Sequence, residues 1–90
     1  MATVFIPSSL ASLANNSSSF VLEVANTAEL FDSLFDLYPE LASKLLDDKK
    51  SPRPFVAFFH NGINIPNSRI AGICLTSDCQ VLFLLAVAGG

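Results

Sequence analysis

The sequence predicts an α+β domain in which one principal helix packs across a mixed sheet of four to five strands. Three observations carry that prediction. Short β-branched and aromatic runs, "ATVFIP" and "FVLEVA", open the chain. Leu30, Leu34, Leu37, Leu41 and Leu45 then recur at helical spacing. Finally, Asn61-Gly62 divides "FVAFFHNGINI", and an Asn-Gly pair between apolar runs is a strong hairpin signal.

Taken in order, Ala2 to Pro7 forms the first strand, closed by the proline. "SSLASLANNSSS" is polar and turn-rich, pinned only by Leu10 and Leu13, and reads as a loop. The second strand places Phe20, Leu22 and Val24 on one face and pairs antiparallel with the first through this long connection. The helix runs from about Asn26 to Asp47. Asn26 or Thr27 caps it, with Glu29 placed as in a capping box. Pro39 breaks it near Tyr38 or restarts it as the first residue of a second helix. "DDKKSPRP" is a charged loop, and two strand pieces flank Asn61-Gly62. "PNSRIAGICLTSD" is mostly irregular, and "CQVLFLLAV" is the last strand. Its continuous apolar character marks a central strand, covered on both faces or awaiting a partner on one. This is the β-grasp order, with the last strand beside the first in the middle of the sheet. The folded domain spans residues 1–86, and a Gly-Gly tail, 87–90, projects from it.

Ninety residues suffice for one domain and one shared core. Hydrophobic residues make up 51% and charged ones only 14%, against roughly 25% in an average chain, so apolar surface is left over. An apolar patch of that kind marks a partner site. Candidates for it are Phe55, Phe58, Phe59, Phe83 and Leu85; Phe55, Phe58 and Phe59 cannot all face one side of a strand. The net charge is −3, and the basic residues Lys44, Lys49, Lys50, Arg53 and Arg69 form no run, which argues against nucleic-acid binding. On net charge alone, a basic protein partner is the easier one to accept. The longest apolar run, Val81 to Ala88, is far short of the roughly 20 residues that span a membrane. The start lacks the basic and apolar regions of a signal peptide, so the expected location is the cytoplasm.

Few residues offer side-chain chemistry. Cys74 and Cys79 have four residues between them and only the distant His60 for company, so two unligated thiols are favoured over a zinc or redox pair. His60 has no nucleophile near it in the sequence and reads as a turn histidine rather than a base. No Walker-type or Gly-x-Gly-x-x-Gly loop occurs, and the expectation is a protein with no metal and no bound cofactor.

The first strand "VFIPSSL", the helix end "YPELASKLLDD", the "RPFVAFFHNG" strand and turn, Gly72 and the terminal "AVAGG" resemble the MoaD/ThiS family of ubiquitin-like sulfur carriers. The "IP" and "AVAGG" elements are most similar to carriers that feed cysteine synthesis, then to molybdopterin-synthase small subunits. Three positions depart from the family pattern: Ser77 to Val81 replaces an Asp-Gly-Asp-x-Val turn, Leu85 a proline and Ala57 an asparagine.

The resemblance implies a carrier that is not itself an enzyme, though it can serve as the small subunit of a synthase. An adenylating enzyme of the ubiquitin-activating type uses ATP on the carboxylate of Gly90. Sulfur then comes from a cysteine desulfurase or rhodanese-like donor, and the resulting thiocarboxylate serves an acceptor synthase. The pathways implied are cysteine or molybdenum-cofactor synthesis, then thiamine or a secondary metabolite. Val87, Ala88 and Gly89 would thread a partner channel, reaching about 13 Å with Gly90 at ~3.3 Å per residue. Glycines without Cβ fit such a channel closely. Two other readings stay open: a protein modifier joined to lysines through Gly90, and an interaction domain with an inert end.

Overall fold

The computed structural model describes residues 1–75 and 78–85. Five strands form one sheet in the order β2-β1-β5-β3-β4. They are β1 (Ala2–Phe5), β2 (Ser19–Leu22), β3 (Val56–His60), β4 (Ile63–Ile65) and β5 (Cys79–Leu85). Strand β5 lies between β1, parallel to it, and β3, antiparallel. The expected central place of the last strand, beside the first, is borne out. Pairing of β1 with β2 is antiparallel, Ala2 opposite Leu22.

The helical segment is two helices, α1 (Thr27–Leu37) and α2 (Pro39–Leu45). Asn26 caps α1: its Oδ1 accepts from the Glu29 N–H at 2.9 Å. Glu29 reaches back in turn, its Oε1 accepting from the Ala25 N–H at 3.0 Å. These two bonds satisfy donors that a helix start leaves unpaired. Pro39 begins α2, where its missing N–H costs nothing.

Leu30, Leu34, Leu41 and Leu45 are fully buried, but Leu37 is 58% exposed, contrary to the expected stripe. The buried face of α1 is Thr27, Leu30, Phe31 and Leu34. The Phe31 ring packs edge-on against Phe58, 6.0 Å between centroids, and lies 6.4 Å from Phe83. Leu37, about 20° from Leu30 around the helix, is exposed at the last residue of α1, where the chain turns into α2.

One further expectation needs correction. Residues Ser8–Ala14, expected as a loop, form a 3-10 helix. Leu10 and Leu13 are three apart, which in a 3-10 helix puts them on one side, and both pack on the core. Asn15 and Asn16 end it in left-handed backbone, at φ 54° and 61°. In the stretch expected to be mostly irregular, Asn67–Ile70 makes one helical turn, α3, and Ile70 is buried. The buried Thr27 hydroxyl donates to the Ile70 carbonyl at 2.7 Å, tying α3 to the start of α1. Between β3 and β4, Asn61 and Gly62 have φ 51° and 84°, the doubly positive pair that a tight type I′ hairpin turn requires.

Candidate functional site

Side chains alternate along a strand, and β5 alternates sharply. Cys79, Val81 and Phe83 point into the core beneath α1 and α2. Gln80, Leu82 and Leu84 point the other way, where none of the described helices covers them. Of the two readings of this apolar strand, the one with a face left open is the one observed.

The neighbours in register enlarge that face. Phe5 of β1 and Phe59 of β3 both pair with Leu82, so an apolar row Phe5–Leu82–Phe59 crosses the three adjacent strands. Leu84 pairs with Ala57, and Thr3 lies between Val21 and Gln80. Phe5, Phe59 and Leu82 are half-buried, while Val21 and Leu84 are exposed. A depression lined by Phe5, Leu82, Phe59, Gln80 and Gly62 separates the row from the Asn61-Gly62 turn. That turn is locked to β5: the Asn61 N–H donates to the Gln80 carbonyl, and the Gln80 N–H donates to Asn61 Oδ1, each at 2.8 Å. None of these side chains is ionisable.

The five surface candidates divide accordingly. Phe59 lies on the open face, and Phe55 is 46% exposed just before β3. Phe58 and Phe83 are 1% and 0% exposed, so they belong to the core and offer a partner nothing. Their rings meet edge-to-face at 5.2 Å, an arrangement the aromatic quadrupole favours. Leu85, opposite Val56, is half-buried and packs on the core side. Leu82 and Leu84 were missed because the unbroken apolar run of β5 hides its period of two, and Phe5 because the four residues of β1 are too few to show which face is covered. A signal was available: one helical segment in 90 residues cannot cover both faces of a five-stranded sheet.

The tail residues Val87, Ala88, Gly89 and Gly90, and the domain boundary after residue 86, lie outside the described residues. Strand β5 runs directly toward them. Cys74 is exposed and Cys79 buried, both as free thiols. His60 is half-buried at the end of β3. Among the described residues no cluster of three or more His, Cys, Asp or Glu gathers, and no helix is long and apolar enough to cross a membrane. A second cavity, of about 330 Å³, lies on the helical side between the start of α1, residues 49–52 and residues 70–72. Lys50 Nζ pairs with Asp32 on its wall and sits 5.9 Å above the Phe35 ring. In the adjoining turn Asp47 is held below its ordinary pKa of 3.8. The largest cause is the Ser51 backbone N–H, and the Lys49 N–H and the charges of Arg53 and Lys49 add to it.

No family model and no curated protein matches the sequence. Solved structures do match the fold. CysO of Mycobacterium tuberculosis, described as an antigen, superposes with TM-score 0.83 at 20% identity, covering 97% of this chain and 100% of that one. A chain of the BexX/CysO complex of Amycolatopsis orientalis gives 0.81 at 22%, covering 100% of both. Small archaeal modifier protein 1 of Methanosarcina acetivorans gives 0.79 at 23%, covering 99% of this chain and 95% of that one. The chain has the β-grasp, ubiquitin-like fold of these small proteins.

Proposed function

We propose that this protein is a ubiquitin-like sulfur carrier whose reacting group is the carboxylate of Gly90. One observation carries the reading: the strand that leads to Ala86-Val87-Ala88-Gly89-Gly90 also forms the middle of an uncharged apolar face that none of the described elements covers. A protein that must present its end to other proteins needs a docking surface continuous with that end. The row Phe5–Leu82–Phe59 supplies it.

The chemistry is then the partners'. An adenylating enzyme joins the carboxylate to AMP and releases pyrophosphate. The terminal sulfur of a donor's persulfide displaces AMP, and a second thiol cleaves the resulting acyl disulfide to leave the thiocarboxylate. An acceptor synthase takes its sulfur from that group, in a pathway such as cysteine or molybdenum-cofactor synthesis. The carrier contributes no base and no metal ligand; it contributes the apolar face and the chain end.

Intact-mass analysis after incubation with ATP, an activating enzyme and a persulfide donor tests this. A gain equal to exchanging one oxygen for sulfur is expected in the wild type and not after deletion of Gly90. The same exchange in the deletion variant would put the thiocarboxylate on a carboxylate other than that of Gly90, and a gain of a whole sulfur atom in both proteins would mark a persulfide on Cys74 or Cys79; either outcome ends the Gly90 carrier reading. The likeness to small archaeal modifier protein 1 favours a second reading, conjugation through Gly90 to lysines. Isopeptide-linked adducts recovered from the native host, with no free thiocarboxylate, would select it.

A further inference from the structure

The charged residues of this chain are divided unevenly around the sheet. Among the described residues the open face carries none. At the end where β5 begins, Asp78 precedes the strand and Glu23 follows β2, and both are exposed. Pairing of Ala2 with both Leu22 and Cys79 puts these two acids at the same end. At the other end, where β5 stops at Leu85, the nearby turn is cationic. Val56 pairs with Leu85, and the Val56 N–H donates to the Arg53 carbonyl at 2.9 Å. That closes a turn from Arg53 to Val56 beside the point where the chain enters its last five residues, 86–90.

Arg53 is held in place before any partner arrives. Its N–H donates to the Leu45 carbonyl and its Nε to the Ser43 carbonyl, both at 3.0 Å, which docks the guanidinium on the last turn of α2. No other hydrogen bond of the guanidinium falls among the described residues. Lys44, the residue after Ser43, is exposed and adds a second cation. The acid that feels Arg53, Asp47, is already accepting backbone N–H groups from Lys49 and Ser51. Phe55, in the same turn, is 46% exposed.

We propose that Arg53, with Lys44 and Phe55, is a cationic guide that pairs with a carboxylate side chain at the mouth of the partner site receiving the C-terminal glycines. This rests on the carrier reading and adds to it what the partner must present. A net charge of −3 suggests a basic partner, but the charge nearest the chain end decides the local contact, because surface charges farther away are screened over about 10 Å. The anion is a protein carboxylate rather than a nucleotide phosphate. A stretch of five residues can span up to about 16 Å at ~3.3 Å each, so the separation of the Gly90 carboxylate from Leu85 can exceed the reach of the Arg53 side chain. A guanidinium fixed in advance loses less entropy on pairing, and its planar fork suits a carboxylate. The apolar face supplies attraction without orientation, and the guide supplies the orientation.

The test is ATP–pyrophosphate exchange by the activating enzyme of the same organism, with the carrier as varied substrate at low and high salt. For the wild type, KM is expected to rise with salt. Arg53→Glu should raise KM about tenfold at low salt with kcat unchanged and reverse the salt dependence, because it turns an attraction at the rim into a repulsion that salt screens. Lys44→Glu, which breaks no hydrogen bond among the described residues, should act in the same direction by a smaller factor. Arg53→Lys should retain the salt dependence. Melting curves separate misfolding from lost pairing, and Lys44→Glu keeps the test valid if Arg53→Glu melts early. Wild-type KM and salt dependence in both glutamate variants, or a fall in kcat alone, overturns the guide. No exchange with the wild type, or equal exchange after deletion of Gly90, instead overturns the carrier reading on which the guide depends.

Discussion

The two faces of β5 have nearly the same composition and opposite fates. Val81 and Phe83 are completely buried beneath the helices, whereas Leu82 is half-buried and Leu84 is 41% exposed, each one residue further along the same strand. The comparison teaches that apolar content alone does not decide burial. What decides it is how much chain is left over to cover a face. Helices α1 and α2 cover one side, and no other described helix exceeds the single turn of α3 or the 3-10 segment. A small domain that leaves a leucine and two phenylalanines half-covered in one row keeps them for something outside itself.

The strongest way to break the comparison is to truncate one residue from each face. Phe83→Ala should cost about 3–5 kcal/mol, because it removes a ring packed against Phe31 and Phe58 and leaves a cavity. Leu84→Ala should cost roughly 1 kcal/mol or less, since that side chain is already partly in water. Urea unfolding of the two variants measures both. Equal losses would mean that the outer face is covered in solution, and sedimentation would then identify a dimer.

Function should invert the order. Leu82→Glu places a charge at the centre of the apolar row and is expected to lower kcat/KM for activation about a hundredfold, equivalent to the ~2–3 kcal/mol of a central interface residue. Its unfolding free energy should change by about 1 kcal/mol, within the range of strand substitutions. Retained activation in Leu82→Glu would remove the open face from the partner interface.

These two faces also mark where the sequence was legible. The strands, the Asn61-Gly62 hairpin and the break at Pro39 could be read because each depends on local chemistry: β-branching, positive φ, a missing N–H. The place of β5 followed from the order of elements. What could not be read depended on tertiary packing. Leu37 fits the helical period as well as Leu30 does, seven residues earlier, and only the packing where α1 gives way to α2 leaves it exposed. Phe58 and Phe59 are adjacent phenylalanines, so a register one residue different would exchange core and surface. The 3-10 helix was hidden by its serines and asparagines, because Leu10 and Leu13 supply too little periodicity to announce a helix.

A smaller effect tests the covering layer itself. If capping of α1 helps hold that layer on the sheet, Asn26→Ala should cost ~1 kcal/mol by leaving the Glu29 N–H without its side-chain acceptor. Activation by the partner enzyme should be unchanged, since Asn26 is not on the open face. Thermal melting and pyrophosphate exchange, run in parallel, check both halves of the statement. A defect in exchange larger than the defect in stability would mean that the two sides of the sheet are coupled.

The smallest expected effect concerns pH, and it too belongs to one side only. Among the described residues the open face has no ionisable group, whereas Asp47 lies in the loop after α2 and has its pKa lowered below 3.8, first by the Ser51 N–H and then by the Lys49 N–H and nearby cations. A carboxylate with a lower pKa in the folded than in the unfolded chain stabilises the fold fully above about 3.8. That stabilisation is lost as pH falls through the folded value. Asp47→Asn keeps an oxygen that can accept from Ser51 and Lys49 but removes the charge. The variant should therefore melt slightly below the wild type at pH 7, and the gap should close as both are acidified below pH 3.8. Melting temperatures across that range measure it. A gap that stays constant, or widens on acidification, would show that the loop is held by the shape of the turn and not by the ionised carboxylate.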